Sequence, residues 1–252
     1  MSQVWVTLLH MGWYFVLYAF LGWCLEVAFQ AVHVGKFINR GFLNGPVCPV
    51  YGFGMVIVIA CLTPLDHNLF PLFAGSVLLT SALEYCTGFI LEKVFHSRWW
   101  DYSDQPFNLK GYVCLKFSLA WGVACVFVMR IIHPMIARLV GWIPQTVSVI
   151  LLCVLLALLL FDTAATVVSI RRLDQKLRLL HEIGKKLRQG SDSIGENISE
   201  DVLKLRQAKE KLTAQSKRTE RRVLKAFPGL RSQRYAEELE SLRERLGRRR
   251  KK

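Results

Sequence analysis

Among the ionisable side chains in the apolar stretches of this 252-residue chain, five stand out: Glu26, Glu84, Glu92, Lys116 and Asp162. A charge at the centre of a bilayer costs about 2.5–3.5 kcal/mol on insertion scales, so each needs a partner or a task. Two kinds of chemistry fit. Arg40, Arg98 and Lys116 can pair with Glu26, Glu84, Glu92 and Asp101 to fix helix packing. Alternatively, such groups line a polar cavity open to the cytoplasm that binds an ion, a proton or a lipid headgroup. The candidate cavity set is Glu26, Arg40, Asn44, Glu84, Glu92, Arg98, Asp101, Asn108 and Lys116. Tyr14, Tyr18, Gly22 and Glu26 form an i, i+4 row, and Glu84, Gly88 and Glu92 repeat the pattern with a drift of about 40° per step. Glycine on a carboxylate-bearing row predicts two closely facing helices with carboxylates between them.

The elements that must position these residues are apolar helices. Five stretches fit membrane spans, at 11–32, 47–64, 73–95, 113–132 and 145–169. About 20 apolar residues cross a bilayer core, and the second stretch is at the short end. The expected fold is an all-α polytopic membrane bundle of about five spans. The first stretch is not a cleavable signal peptide: no Lys or Arg precedes it, and it carries Trp13, Tyr14 and Glu26. Cationic residues set the orientation. Lys36 and Arg40 follow span one, and Lys93, Arg98 and Lys110 follow span three, whereas the loop after span two has none. The N-terminus is then outside and the C-terminus cytoplasmic, with Arg130 and Arg138 as a mild violation. His133-Pro134 is expected to mark the outer end of span four.

Both cytoplasmic loops are unusual. The first, Gly35 to Pro46 and on to Gly54, repeats Gly and Pro, which breaks helix and permits a folded, partly buried backbone. Such backbone survives at membrane depth only where protein or a water-lined cavity covers it. The second contains Arg98-Trp99-Trp100-Asp101-Tyr102-Ser103. Trp and Tyr favour the headgroup level, so Trp99, Trp100 and Tyr102 are expected at the inner interface.

The net charge of +14, pI of 9.7 and mean hydropathy of +0.29 describe no single part of the chain. Residues 1–170 hold 8 Lys/Arg against 7 Asp/Glu, and residues 171–252 hold 25 against 12. The division is a transmembrane domain, 1–170, and a basic helical cytoplasmic tail, 171–252. Ile170, Leu173, Leu177, Leu180 and Leu187 make an a/d seam with Gly184 at one seam position, as in a coiled coil. Gly190 to Ser193 is expected to break it. A second seam uses Ile198, Val202, Leu205 and Leu212, and Pro228-Gly229 ends that segment. A third uses Tyr235, Leu239, Leu242 and Leu246. The closing run Arg248, Arg249, Arg250, Lys251 and Lys252 suits an anionic leaflet or an acidic partner, at about 1 kcal/mol per residue near the surface. Nucleic acid is not the expected partner, because the tail lacks interleaved aromatics.

No P-loop, H-E-x-x-H, G-x-S-x-G, G-x-G-x-x-G or C-x-x-C motif occurs. The chain cannot hydrolyse ATP by the P-loop route, and no cofactor or metal is expected. The seven cysteines sit in apolar surroundings as reduced, small residues, and the six histidines are scattered polar groups.

Several motifs carry a family resemblance: Gly22-Trp23-Cys24-Leu25-Glu26, Asn39-Arg40-Gly41-Phe42-Leu43-Asn44-Gly45-Pro46, Pro49-Val50-Tyr51-Gly52, Glu84-Tyr85-Cys86-Thr87-Gly88, Arg98 to Ser103, and Cys114-Leu115-Lys116-Phe117-Ser118. Over residues 11–135 the chain resembles the bacterial multi-pass membrane proteins named putative ABC-transporter type IV. Ala226 to Ser232 in the tail also resembles relatives. The resemblance implies a bacterial cell-membrane protein that works in transport with a separate ATPase or other cytoplasmic partner, with homo-oligomers compatible. A membrane enzyme acting on a lipid or lipid-linked substrate, with Glu84 or Asp101 as base and Arg98 on a phosphate, is the alternative. So is a scaffold or regulator recruiting a partner through its tail.

Overall fold

The computed structural model describes residues 3–192, 204–205, 207–209, 211–212, 218–227, 230–232 and 234–248. The described chain is mainly helical: α1 (Gln3–Val34), α2 (Pro49–Leu62), α3 (Leu69–Phe95), α4 (Leu115–Phe127), α5 (His133–Trp142), α6 (Gln145–Asp192), α7 (Arg218–Ala226) and α8 (Ala236–Arg248). Four two-residue strands, β1 (Ser97–Arg98), β2 (Asn108–Leu109), β3 (Val113–Cys114) and β4 (Arg231–Ser232), pair antiparallel as β1 with β4 and β2 with β3.

Among the described residues, four helical stretches are long and apolar enough to cross a membrane: Gln3–His33, Leu69–Phe95, Leu115–Trp142 and Gln145–Leu187. The second apolar stretch forms a shorter helix, Pro49–Leu65, whose last turn tightens to 3₁₀. Pro49 starts it because a first-turn proline gives up no intrahelical hydrogen bond. The fourth helix does not end at His133-Pro134, as the sequence suggested. A five-residue π segment, Val128–Ile132, joins α4 to α5 and carries the helix on to Trp142. Pro134 has no N–H and its ring crowds the carbonyl one turn earlier, and the wider turn absorbs that mismatch. Arg130, which violated the charge pattern, meets Asp66 from the loop after α2 at 3.2 Å.

The chain divides into two compact units, residues 1–91 with 100–164, and residues 92–99 with 165–252. In the first, α1 and α2 pack closely, and their core takes in Leu72, Met129, Val140 and Leu152 from the later helices. Trp13 donates its indole N–H to Ser148 Oγ at 2.6 Å, and the Tyr18 hydroxyl shares a 3.2 Å hydrogen bond with His133 Nδ1. His133 is therefore a packed bundle residue.

The second unit contains the tail seam. Ile170, Leu173, Leu177 and Leu180 are buried, and Val223, Leu230 and Leu239 line a cavity with the first three. The seam is thus covered from within the chain. Leu239 and Leu242 form the buried stripe of α8, as the third tail segment predicts. α6 continues through Gly190 and Ser191 to Asp192, within the stretch where the break is expected, and Ser193 lies outside the described residues. Leu205 and Leu212 are helical, whereas Ile198, Val202, Pro228-Gly229 and the closing run from Arg249 to Lys252 lie outside the described residues.

Gly184 sits in mid-helix with open space where a Cβ would be. Gly184→Ala is therefore expected to stabilise the second unit by about 0.8–1 kcal/mol, because alanine restricts the unfolded chain and meets no obstacle. Chemical unfolding followed by a probe in the tail checks this, and a loss of stability would refute it.

Candidate functional site

The site grows from one row of α1. Gly22, Glu26 and Gln30 follow each other at i, i+4 and i+8. A Cβ on Gly22 would stand 2.3 Å from the Tyr51 ring, so only glycine admits that side chain against α1. Tyr51, in the first turn of α2, donates its hydroxyl hydrogen to Glu26 Oε1 at 2.7 Å. Arg40 faces the other oxygen of Glu26 at 3.7 Å, and its Nη1 donates to Gln30 Oε1 at 3.3 Å. The contact of Arg40 with Glu26 is ionic rather than hydrogen-bonded at that distance.

Glu84 of α3 is partnered differently. Tyr102 donates its hydroxyl hydrogen to Glu84 Oε1 at 3.1 Å, while the buried Oε2 accepts no hydrogen bond among the described residues. No Lys, Arg or His among them pairs with it. Trp121 of α4 links the two carboxylates. Its ring meets that of Tyr51 edge-on at 5.8 Å, and its side chain also neighbours Glu84. The cluster therefore runs Glu26, Tyr51, Trp121, Glu84, Tyr102. Tyr102 stacks on Phe117 at 4.8 Å, and burial, with the Glu84 charge adding to it, pushes its phenol well above the ordinary range.

Both loops fold onto the bundle to hold these groups. In the first, Asn39 Oδ1 accepts from the Trp23 indole at 2.8 Å and the Gly41 amide at 2.9 Å, and Asn39 Nδ2 donates to the Asn44 carbonyl at 2.9 Å. Asp162 of α6 takes three donors from the loop: the Asn44 amide at 3.2 Å, Asn44 Nδ2 at 2.9 Å and the Gly45 amide at 2.7 Å. Leu43 is fully buried between these anchors. Burial, with the nearby Glu26 charge adding to it, pushes the Cys48 thiol up to about 12, which makes it a poor nucleophile.

In the second loop, Trp100 donates its indole N–H to the Tyr112 carbonyl at 2.9 Å, and the Tyr102 amide donates to the Gly111 carbonyl at 2.8 Å. Gly88 makes room for this loop, since a Cβ there would lie 2.9 Å from Tyr112 and 3.1 Å from Trp100. Gly22 thus receives an aromatic ring from the facing helix α2, whereas Gly88 receives rings from the second loop. Trp99 is buried, and Trp100 and Tyr102 are half-buried. Trp99 is 7% exposed and packs edge-on against Phe227 at 4.6 Å within the second unit.

The remaining candidates have separate places. Glu92 and Arg98 pair at 2.7 Å within the second unit. There β1 meets β4, and Arg243 donates to the carbonyls of Leu230 at 2.7 Å and Phe227 at 3.2 Å. These contacts account for the tail motif around Phe227. Asp101 accepts from the amide and hydroxyl of Ser103. Asn108 ties the second loop through the Ser103 and Gln105 carbonyls and the Gly111 amide. Lys116 is exposed, with Nζ 5.9 Å from the Phe117 ring centroid. No group of three or more His, Cys, Asp or Glu among the described residues could hold a metal ion.

The model of the putative ABC-transporter type IV family matches residues 13–167. The chain belongs to this family. No curated protein and no solved structure matches it. The part matched to the putative ABC-transporter type IV family holds every member of the Glu26–Tyr102 cluster and Asp162, and stops short of the tail. Tyr51, Trp121 and Asp162 were missing from the candidate set, although the family motif Pro49-Val50-Tyr51-Gly52 contains the first. The position of Asp162 in an apolar helix is the signal for the third.

Proposed function

We propose that this protein is the membrane component of a bacterial transport system. It lacks a P-loop, so a separate ATPase supplies any ATP hydrolysis. In this reading Pro49–Leu65 is a fifth span. Its 17 residues reach about 25 Å, close to a hydrocarbon core. The N-terminus then lies outside and the basic tail in the cytoplasm, with Lys36, Arg40, Lys93, Arg98 and Lys110 on the inner side.

The observation that carries the proposal is Glu84. A carboxylate set in an apolar helix beside one phenol and the Trp121 side chain, with one oxygen accepting no hydrogen bond and no cation paired to it among the described residues, is a poor structural ion pair. Its electrostatics suit a proton or a small cationic group, which would satisfy the bare oxygen and remove the cost of the isolated charge. Glu26, already held by Tyr51 and faced by Arg40, is the fixed member of the pair.

The test is cation and proton uptake into vesicles containing the protein purified with its ATPase. Glu84→Gln is expected to abolish most of the uptake while leaving the fold and ATPase association intact. Uptake equal to wild type would remove Glu84 from the mechanism. Recovery of a stable complex without any ATPase would count against the transport assignment.

The folded tail favours a second reading, in which the second unit presents a surface to a cytoplasmic partner. Full complementation by a chain ending at residue 170 would reject it.

A further inference from the structure

The tip of the second loop places two large apolar side chains where a soluble loop would place polar ones. Phe107 is 81% exposed and Leu109 56% exposed, with Lys110 beside them. Phe107 and Lys110 both hold left-handed backbone, at φ of 52° and 53°. A side-chain-bearing residue keeps that conformation only where its surroundings impose it. Here the β2–β3 pairing and the Asn108 side chain impose it. The exposure is thus a built feature of the hairpin.

Its position indicates what covers it. The Leu115 amide donates to the Phe107 carbonyl at 3.2 Å, which fixes Phe107 against the first residue of α4. Leu115, Leu119, Val123 and Phe127 then follow at i, i+4 spacing, each between 42% and 62% exposed. That stripe lies on a helix long and apolar enough to cross a membrane, where an exposed apolar stripe would meet acyl chains. The apolar tip continues the stripe past the end of the helix.

We propose that Phe107 and Leu109 insert at the headgroup–acyl boundary of the bilayer and that Lys110 reaches back to the lipid phosphates. The occupant is a phospholipid, held by apolar contact first and charge second. Asp101 and Asp104 in the same loop offset Lys110, so the tip has no strong preference for anionic lipid. Tyr102 is tied to the hairpin by the hydrogen bond from its amide to the Gly111 carbonyl and donates its hydroxyl hydrogen to Glu84, so the tip and the site belong to one loop. This inference does not depend on the transport reading.

Photocrosslinking tests it. The full chain carrying Phe107→p-azidophenylalanine, and separately Leu109→p-azidophenylalanine, is reconstituted in phosphatidylglycerol or phosphatidylcholine vesicles and illuminated. The expected product is the loop peptide carrying one phospholipid, with yields from the two lipids within about twofold. The same replacement at the buried Tyr112 should give no lipid adduct. Crosslinks joining two copies of the chain would show that protein covers the patch and would overturn the proposal. So would reaction with water alone, or equal lipid labelling at Tyr112.

Discussion

Asp162→Ala is expected to cost about 3 kcal/mol and to release the first loop from the bundle. The carboxylate accepts three hydrogen bonds from Asn44 and Gly45, two of them from backbone amides. Hydrogen bonds to a charged acceptor are each worth about 1.5–3 kcal/mol, and a stranded buried donor costs about 1–3 kcal/mol. The groups are only part-buried, so water recovers some of this, and the net loss stays well below the sum. Gly45 makes the geometry possible, because a Cβ there would press to 3.1 Å from Asp162 Oδ2. Thermal unfolding in detergent measures the loss, and limited proteolysis between Arg40 and Pro46 reports the release. Asp162→Asn keeps one good acceptor and should recover part of the stability. A loss below about 1 kcal/mol with the loop still protected would show that other contacts hold it.

Gly52→Ala should destabilise the first unit by about 2–3 kcal/mol, for a reason distinct from that at Gly22. An added Cβ at Gly52 would stand 2.5 Å from the backbone carbonyl oxygen of Phe15, and a backbone atom can yield only if α1 and α2 part. At Gly22 the obstacle is the Tyr51 side chain, which can be cut away. The two substitutions should therefore respond differently to rescue. Gly22→Ala should regain stability when Tyr51 is also replaced by glycine, which removes both the ring and the Cβ 2.5 Å away, beyond the sum of the single effects. Gly52→Ala should gain little from Phe15→Ala, because the carbonyl remains. Equal rescue at both sites would mean that the helices are not held at this distance by backbone contact.

These predictions show how differently the parts of the molecule could be read. The membrane helices were legible because each is a long apolar run, and hydrocarbon leaves a chain few other ways to satisfy its backbone. The join of α4 to α5 was not, since Pro134 reads as a stop unless a wider turn accommodates it, and that depends on neighbouring helices. The carboxylates were legible as misfits in apolar segments. Their partners were not, because Tyr51, Tyr102 and Trp121 are unremarkable residues until the fold brings them to Glu26 and Glu84.

The glycine rows make the same point. Their small size at a carboxylate-bearing face was evident from spacing, and it correctly signalled a close approach. What approaches is an aromatic ring from α2 or from the second loop, and spacing on one helix carries no information about a distant side chain.

Sequence alone determined the membrane character of this chain, its charge asymmetry, its family and the amphipathic faces of its tail, because each is a local or summed property of residue type. Tertiary structure decided which polar groups meet, which aromatic residues turn inward and what covers the tail seam. Those outcomes depend on contacts between segments far apart in sequence, where packing and hydrogen-bond satisfaction, rather than local preference, select the arrangement.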